Sequence, residues 1–182
     1  MPNWPFVNDG DESSFAYVWD LVTGKVTPQP INNPACKVGR TLSNPTSMSP
    51  DGSLVTLYGA DCSKLPGDTT PTRSVQVWNV LTGKVEPQPA AAGGAEPNGG
   101  SEVPVLSFDT TKVVIQSYAS NLVANDPSVP PGLPGEGDVY VWNRPTGTYQ
   151  RQPLGFDGSR PNASSRPAAI SKDNSKVLFG SY

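Results

Sequence analysis

The sequence of 182 residues contains no histidine, and this absence excludes several kinds of active site. Ser-His-Asp triads, Cys-His dyads, histidine general bases and histidine-ligated metal centres all need an imidazole side chain. Only two cysteines occur, and they form no CxxC motif of the kind that thiol redox enzymes use. We therefore predict that the chain is not an enzyme, with no catalytic residues and no bound cofactor.

Positive charge is also scarce and scattered along the chain. Lys and Arg number 13 against 16 Asp and Glu, so the formal net charge is −3. No run of Lys and Arg provides the footprint of a nucleic-acid binder, and no apolar run approaches the roughly 20 residues of a membrane span. No basic segment followed by an apolar one marks a signal peptide. Either the protein is cytosolic, or a signal was removed or never included.

Proline and glycine are abundant, and apolar residues are few. The chain has 21 Pro and 18 Gly, and only 35% of its residues are hydrophobic. Such a composition is typical either of disorder or of many short strands joined by turns. Four Trp, six Tyr and five Phe argue against disorder, because disordered chains are poor in aromatic residues. The composition therefore favours an all-β protein.

Two linked sequence patterns occur three times. The segment YVWDLVTGK at 17–25 recurs as QVWNVLTGK at 76–84 and as YVWNRPTGT at 140–148. A Ser-x-Asp turn followed by an apolar segment recurs in step with it. The repeated positions are Trp19, Trp78 and Trp142, then Gly24, Gly83 and Gly147, then Asp51, Asp109 and Asp173.

Each repeat predicts four strands. Strand A lies before the Ser-x-Asp turn (46–49, 103–107 and 168–171), strand B follows that turn, strand C carries the tryptophan, and strand D follows Thr-Gly. The glycine supplies the positive φ of a tight turn, and the aspartate caps the A–B turn. No segment has a 3.6-residue apolar period, so we expect almost no helix.

This arrangement resembles a blade of the WD40-like or TolB-like β-propellers, and the bacterial TolB-like repeats most closely. The Gly-His pair of WD40 repeats is missing, and the repeat period is about 60 residues instead of about 40–45. The resemblance implies a propeller fold and says little about function, because propellers have many unrelated activities. TolB-like propellers commonly act as platforms for protein binding, and the resemblance implies the same role here.

The repeats place one blade across the two ends of a single repeat domain, 1–182. Strands C and D of the split blade lie in 1–31, the second blade in 46–89, the third in 103–153, and strands A and B of the split blade in 168–182. Three blades are too few to close a ring, since propellers have about 4–8. We expect either a six-bladed dimer, in which another copy completes the blade, or a part of a longer propeller. A contact that does not close would give a filament.

The repeated residues are expected to be structural. We predict that the tryptophans pack between blades, although exposed rings would instead suit a carbohydrate-stacking ladder. Weak candidates for a metal site are Asp9, Asp11 and Glu12, which partly resemble the start of a Ca²⁺ loop without its full spacing. A solvated loop is the alternative interpretation.

Cys36 and Cys62 are either two buried thiols or one disulfide of an exported protein, and both interpretations remain open. The sequon at Asn162 is a candidate glycosylation site. Together with the scarcity of Lys and the abundance of Pro, Ser, Thr and Asn, it favours an exported or extracellular protein over a cytoplasmic one.

The predicted function is a non-catalytic protein-interaction or structural scaffold. Its expected partners are another protein and further copies of the chain, which would associate through the head and tail strands, with no nucleic acid and no membrane span. One alternative is a subunit of a self-assembling extracellular filament or layer. Another is a glycan-binding or enzymatic propeller, but Glu96, Glu102 and Glu136 are not at equivalent repeat positions, which argues against a ring of catalytic carboxylates.

Overall fold

A computed structural model of the chain describes residues 16–30, 44–60, 73–124, 137–152 and 163–181. These residues form β-strands joined by turns and loops, with one three-residue 3-10 turn at Ala92–Gly94. No helix in these ranges is long and apolar enough to span a membrane. The predicted all-β fold with almost no helix is confirmed.

The described strands form four antiparallel sheets, two of four strands and two of two strands. We name the four-stranded sheets the second and third blades, and the two-stranded ones the head sheet and the tail sheet. The head sheet contains β1 (Tyr17–Trp19) and β2 (Val26–Pro28); the second blade β3 (Asn44–Met48), β4 (Leu54–Ala60), β5 (Arg73–Asn79) and β6 (Val85–Pro87); the third blade β7 (Ser101–Leu106), β8 (Lys112–Ser117), β9 (Asp138–Asn143) and β10 (Thr148–Gln152); and the tail sheet β11 (Ser165–Ile170) and β12 (Val177–Ser181).

Strands A to D of each complete blade are adjacent in chain order, as the repeats predict. The head sheet supplies strands C and D, and the tail sheet supplies strands A and B. The head and tail sheets are thus separate two-stranded sheets, and the described part of the chain forms an incomplete propeller. That the two sheets are halves of one blade remains a prediction from the repeats.

Strand A begins earlier than predicted and contains a bulge in all three sheets. It starts at positions 44, 101 and 165, and its register with strand B shifts next to a proline each time, at Pro45, Pro104 and Pro167. Proline has no N–H to donate to a sheet, and a bulge is one of the few places where a strand tolerates it.

The sheets pack on one another in chain order. Strand β7 contacts β3, β4 and β5 of the second blade, and β11 contacts β7, β8 and β9 of the third. Alternate residues of the central strands face opposite neighbours, as the twofold periodicity of a strand requires. Both faces of a complete blade are thus buried, which explains why strands B and C have long apolar runs instead of a polar face.

Three apolar clusters fill the spaces between the sheets. The cluster between the second and third blades contains Val75, Val77, Val113, Ile115 and Trp142. Ala16, Val55, Leu57 and Trp78 lie between the head sheet and the second blade, and Val114, Val139 and Val141 lie between the third blade and the tail sheet. The hydrophobic core is therefore divided into layers between neighbouring sheets.

Candidate interaction surface

The A–B turns share one hydrogen-bond network. In the second blade, the Ser49 hydroxyl donates to Asp51 Oδ1 (2.6 Å) and accepts from the backbone N–H of Leu54 (2.9 Å). The Asp51 carboxylate also accepts from the backbone N–H of Ser53 (3.1 Å). The same contacts recur in the third blade and in the tail sheet, where the residues are Ser107, Asp109, Thr111 and Lys112, and Ser171, Asp173, Ser175 and Lys176.

These hydrogen bonds stabilise the charged form of the three carboxylates. The Ser49 hydroxyl, followed by the Ser53 N–H, lowers the pKa of Asp51 from 3.8 to about 2. Ser171 and then Ser175 do the same for Asp173, whose pKa is also about 2. The pKa of Asp109 is lowered as well, mainly by the side-chain amide of Asn174. The three carboxylates are therefore poor candidates for proton transfer near neutral pH.

These lowered pKa values predict a loss of stability in acid. A carboxyl group whose pKa is depressed on folding contributes stability above its unfolded pKa, and this contribution disappears as the pH falls through the folded pKa. For Asp51 and Asp173 the window runs from about pH 4 down to about pH 2. We expect the urea midpoint to fall across this window, and to fall less in Asp51→Asn, which cannot take up that proton. An equal fall in both proteins would contradict the prediction.

The C–D turns share a second repeated hydrogen-bond pattern. Asp20 Oδ1 accepts the backbone N–H groups of Val22 (2.8 Å) and Thr23 (2.9 Å), and Asn79 plays the same part in the second blade. The glycine of each turn has a φ of 65° to 72°, which side chains other than that of glycine rarely adopt. Gly24, Gly83 and Gly147 therefore occupy the positions that this turn reserves for glycine.

The three repeated tryptophans differ in exposure. Trp78 and Trp142 are 0% and 1% exposed, whereas Trp19 is 63% exposed. Trp142 packs against Val75 and Val77 of the preceding blade. Trp19 is on the face of the head sheet that points away from the second blade, and no described sheet lies against that face. It is therefore a blade-packing side chain on an uncovered surface.

Two strand edges at the ends of the described stack of sheets have no described strand beside them. In the complete blades, strands B and C pair with each other, but no described strand pairs with the free edge of β1 or of β12. Leu178 of β12 is 64% exposed, whereas the equivalent Thr56 and Val114 are fully buried. A strand edge without a neighbouring strand is a template for another strand. We name 18–20 the head edge and 176–179 the tail edge.

Polar contacts join neighbouring blades at positions that the repeats did not reveal. The Arg144 guanidinium reaches Glu86 of the second blade (2.5 Å) and donates to the Thr110 carbonyl of its own blade (2.5 Å). Asn174 donates its side-chain N–H to Asp109 (2.7 Å), which links the tail sheet to the third blade. These contacts fix how the turns of adjacent sheets sit together.

A buried ion pair lies within the third blade. Arg151 Nη2 is 2.9 Å from Asp138 Oδ2, and the two side chains are only 8% and 5% exposed. Arg151 departs from the repeat, because the two equivalent positions in the other repeats, 28 and 87, are both proline. This departure is the sequence signal that distinguishes Arg151 from its equivalents.

The acidic residues Glu96 and Glu102, considered from the sequence, do not form a common site. Glu102 pairs with Arg73 (2.7 Å) across the second and third blades, and Glu96 is on the exposed loop after the 3-10 turn. In the described ranges no three acidic or cysteine side chains come together where they could hold a metal ion. The predictions for Asp9, Asp11, Glu12, Cys36, Cys62, Glu136 and Asn162 fall outside the described residues.

Comparison with known proteins supports the fold. No protein-family model matches the sequence, and no curated protein matches it. Among solved structures, TolB from Acinetobacter baumannii is similar over 90% of this chain and 31% of its own, with a TM-score of 0.53 and 16% identity. The tricorn protease is similar over 90% of this chain and 15% of its own, with a TM-score of 0.47 and 15% identity.

The similarity to TolB confirms the predicted TolB-like propeller fold. The chain spans about a third of the length of the TolB chain, in keeping with a propeller that contains only some of its blades.

Proposed function

We propose that this chain is a non-catalytic interaction or structural scaffold that works through the head and tail edges. The observation that carries the proposal is two half-blades among the described residues, each with a strand edge beside which no described strand lies and with an exposed apolar side chain, Trp19 on one and Leu178 on the other. Main-chain pairing to such an edge provides affinity, and side chains on the strand faces provide specificity.

The charged groups of the described residues support a structural role. Glu86, Glu102 and Asp138 each face an arginine, and the repeated aspartates accept hydrogen bonds from their own turns. A catalytic carboxylate would instead be expected to point into a cleft that a substrate can enter.

The partner that best fits the two edges is a second copy of the same chain. The tail edge is a strand B without its strand C, and the head edge is a strand C without its strand B. Each copy therefore offers what the other lacks, and two copies of three blades would make six, within the size range of closed propellers.

A filament is the second candidate, because the two edges differ from each other and lie on different sheets. A head-to-tail contact between different surfaces forms a ring when its rotation closes and an open polymer when it does not. The extracellular setting of such a filament rests on sequence composition alone.

Light scattering across a range of concentrations tests self-assembly. We expect a mass near twice the 19.2 kDa of the chain, because two head-to-tail contacts would close the ring. Leu178→Lys should reduce the mass, since it places a charge on the tail edge. Leu81→Lys is the matched control, because Leu81 is 82% exposed on a turn of the second blade. A polymer would favour the filament, and a monomer at every concentration would contradict self-assembly.

A further inference from the structure

We propose that β12 of one copy pairs antiparallel with β1 of a second copy in a single register, with Trp19 opposite Val177. This inference rests on the proposed self-assembly and goes beyond it by specifying which residues meet. Two copies that pair β12 with β1 of the other copy at both ends would form a closed ring of six blades. Two of these blades would combine strands A and B of one chain with strands C and D of the other; we name such a blade the seam blade, and its β12–β1 pairing the seam.

The register follows from the two complete blades, which agree with each other. Val55 lies opposite Trp78 in the second blade, and Val113 lies opposite Trp142 in the third. In both blades, the residue opposite the tryptophan is the fourth after the turn aspartate, Asp51 or Asp109. The fourth residue after Asp173 is Val177, which fixes the partner of Trp19.

The same register places compatible side chains opposite each other along the seam. Tyr17 faces Phe179, in the place where Tyr140 faces Ile115 in the third blade. Asp20 faces Lys176, so that opposite charges meet across the strands. The equivalent pairs in the complete blades are Leu54 with Asn79 and Lys112 with Asn143. The seam is therefore the only one of these three B–C pairings with opposite charges at this position.

In this register, the face of the seam blade that contains Trp19 also packs against the third blade. Val177 and Phe179 already pack on the third blade, against Val114, Val139 and Val141. Trp19 would lie on that same face and cover Val141, which is 9% exposed. Trp142 covers the equivalent Val77 in this way.

The opposite face of the seam meets the second blade of the other copy. Val18 packs on the second blade of its own chain. Leu178 of the first copy would lie opposite Val18, so its side chain would face the same second blade. In the second blade, the equivalent Thr56 contacts the Pro104 carbonyl of the next strand A. The two exposed apolar side chains of the open edges, Trp19 and Leu178, thus both become buried in this one arrangement.

Cysteine cross-linking between copies tests the register. A chain carrying Val18→Cys is mixed with a chain carrying Leu178→Cys, both with Cys36→Ser and Cys62→Ser, and is then mildly oxidised. Directly opposite Cβ atoms are about 4.5–5.5 Å apart, whereas residues two positions further along are about 7–8 Å apart. We expect a covalent dimer on a non-reducing gel for this pair, and little or none for the control pair Ala16→Cys with Leu178→Cys.

Charge variants with both native cysteines provide a second measurement. Lys176→Glu should lower the mass measured by light scattering, because it sets two negative charges against each other at Asp20. Asp20→Asn should then restore the mass, and it keeps the turn cap that Asn79 provides in the second blade. Lys112→Glu is the control, since Lys112 has the equivalent place opposite Asn143 in the third blade and should leave the mass unchanged.

The possible results test the register separately from self-assembly. A dimer that cross-links equally well, or better, through the Ala16 control would overturn the register and leave self-assembly standing. A dimer whose mass ignores Lys176→Glu would also contradict the register. A wild-type chain that remains a monomer would overturn both.

Discussion

Replacing Trp142 with alanine is expected to lower the free energy of unfolding by about 3–5 kcal/mol, the usual cost of truncating a buried aromatic side chain. The indole is 1% exposed and packs between the second and third blades against Val75 and Val77. Its removal leaves a cavity between two sheets that have little freedom to close it. Since a domain is stable by only about 5–15 kcal/mol, this one change would remove a large share of the total. Urea denaturation followed by Trp fluorescence measures the effect.

The equivalent residue of the head sheet is the matched control. Trp19 has the same place in the repeat but is 63% exposed, so Trp19→Ala should change the stability of the monomer by no more than about 0.5 kcal/mol, as is usual for surface positions. Trp19→Ala should instead weaken self-assembly. The comparison is made at a protein concentration at which the chain is monomeric, since Trp19 is buried in the proposed ring. Equal losses of stability under that condition would contradict the difference in burial between the two positions.

The exposure of Trp19 shows what a repeat in sequence can predict and what it cannot. The three copies of the pattern place the tryptophans on equivalent strands, because that depends only on local periodicity and turn residues. Burial depends on whether another sheet lies against the strand. The phase of the repeat predicts a split blade, and the described residues contain a two-stranded sheet at each end of the stack, as such a split requires.

The positions of strands B and C were predictable, but the bulges of strand A were not. Apolar β-branched residues and the Trp motif identify the central strands directly. The start of strand A depends on how Pro45, Pro104 and Pro167 are accommodated. In the second and third blades this involves the neighbour, since Thr46 donates to the Pro104 carbonyl (2.6 Å) and Ser47 accepts from the Leu106 N–H (2.9 Å).

The polar contacts between blades could not be predicted from the sequence, because they too depend on the neighbouring blade. Arg144 and Glu86 are 58 residues apart, and Asn174 and Asp109 are 65 apart. No periodicity links such positions, because each contact occurs at only one interface and replaces the repeat consensus instead of following it. The repeated aspartates, in contrast, accept hydrogen bonds in their own turns from residues two positions away, a local pattern that a sequence can show.

Removing the charge of Asp138 is expected to lower the free energy of unfolding by about 3–5 kcal/mol, the usual cost of breaking a buried ion pair from one side. Asp138→Asn keeps the shape of the side chain but leaves the Arg151 guanidinium, 8% exposed, without the carboxylate at 2.9 Å. The pair lies between β9 and β10, so the loss should be seen as a lower urea midpoint for the whole chain. Adding Arg151→Gln should recover part of it, because the charge of the former partner is then removed as well.

The partly exposed pair of Arg73 and Glu102 is the comparison for this change. Their nitrogen and oxygen are 2.7 Å apart, close to the distance in the buried pair, but the Arg73 side chain is 60% exposed and that of Glu102 13%. Arg73→Gln should therefore cost no more than about 1 kcal/mol, and less at high salt. The two ion pairs have similar distances and differ mainly in the exposure of the arginine, 60% against 8%, so Arg73→Gln should cost less than Asp138→Asn. A small effect of Asp138→Asn, comparable to that of Arg73→Gln, would mean that water reaches the Arg151 site and replaces the carboxylate.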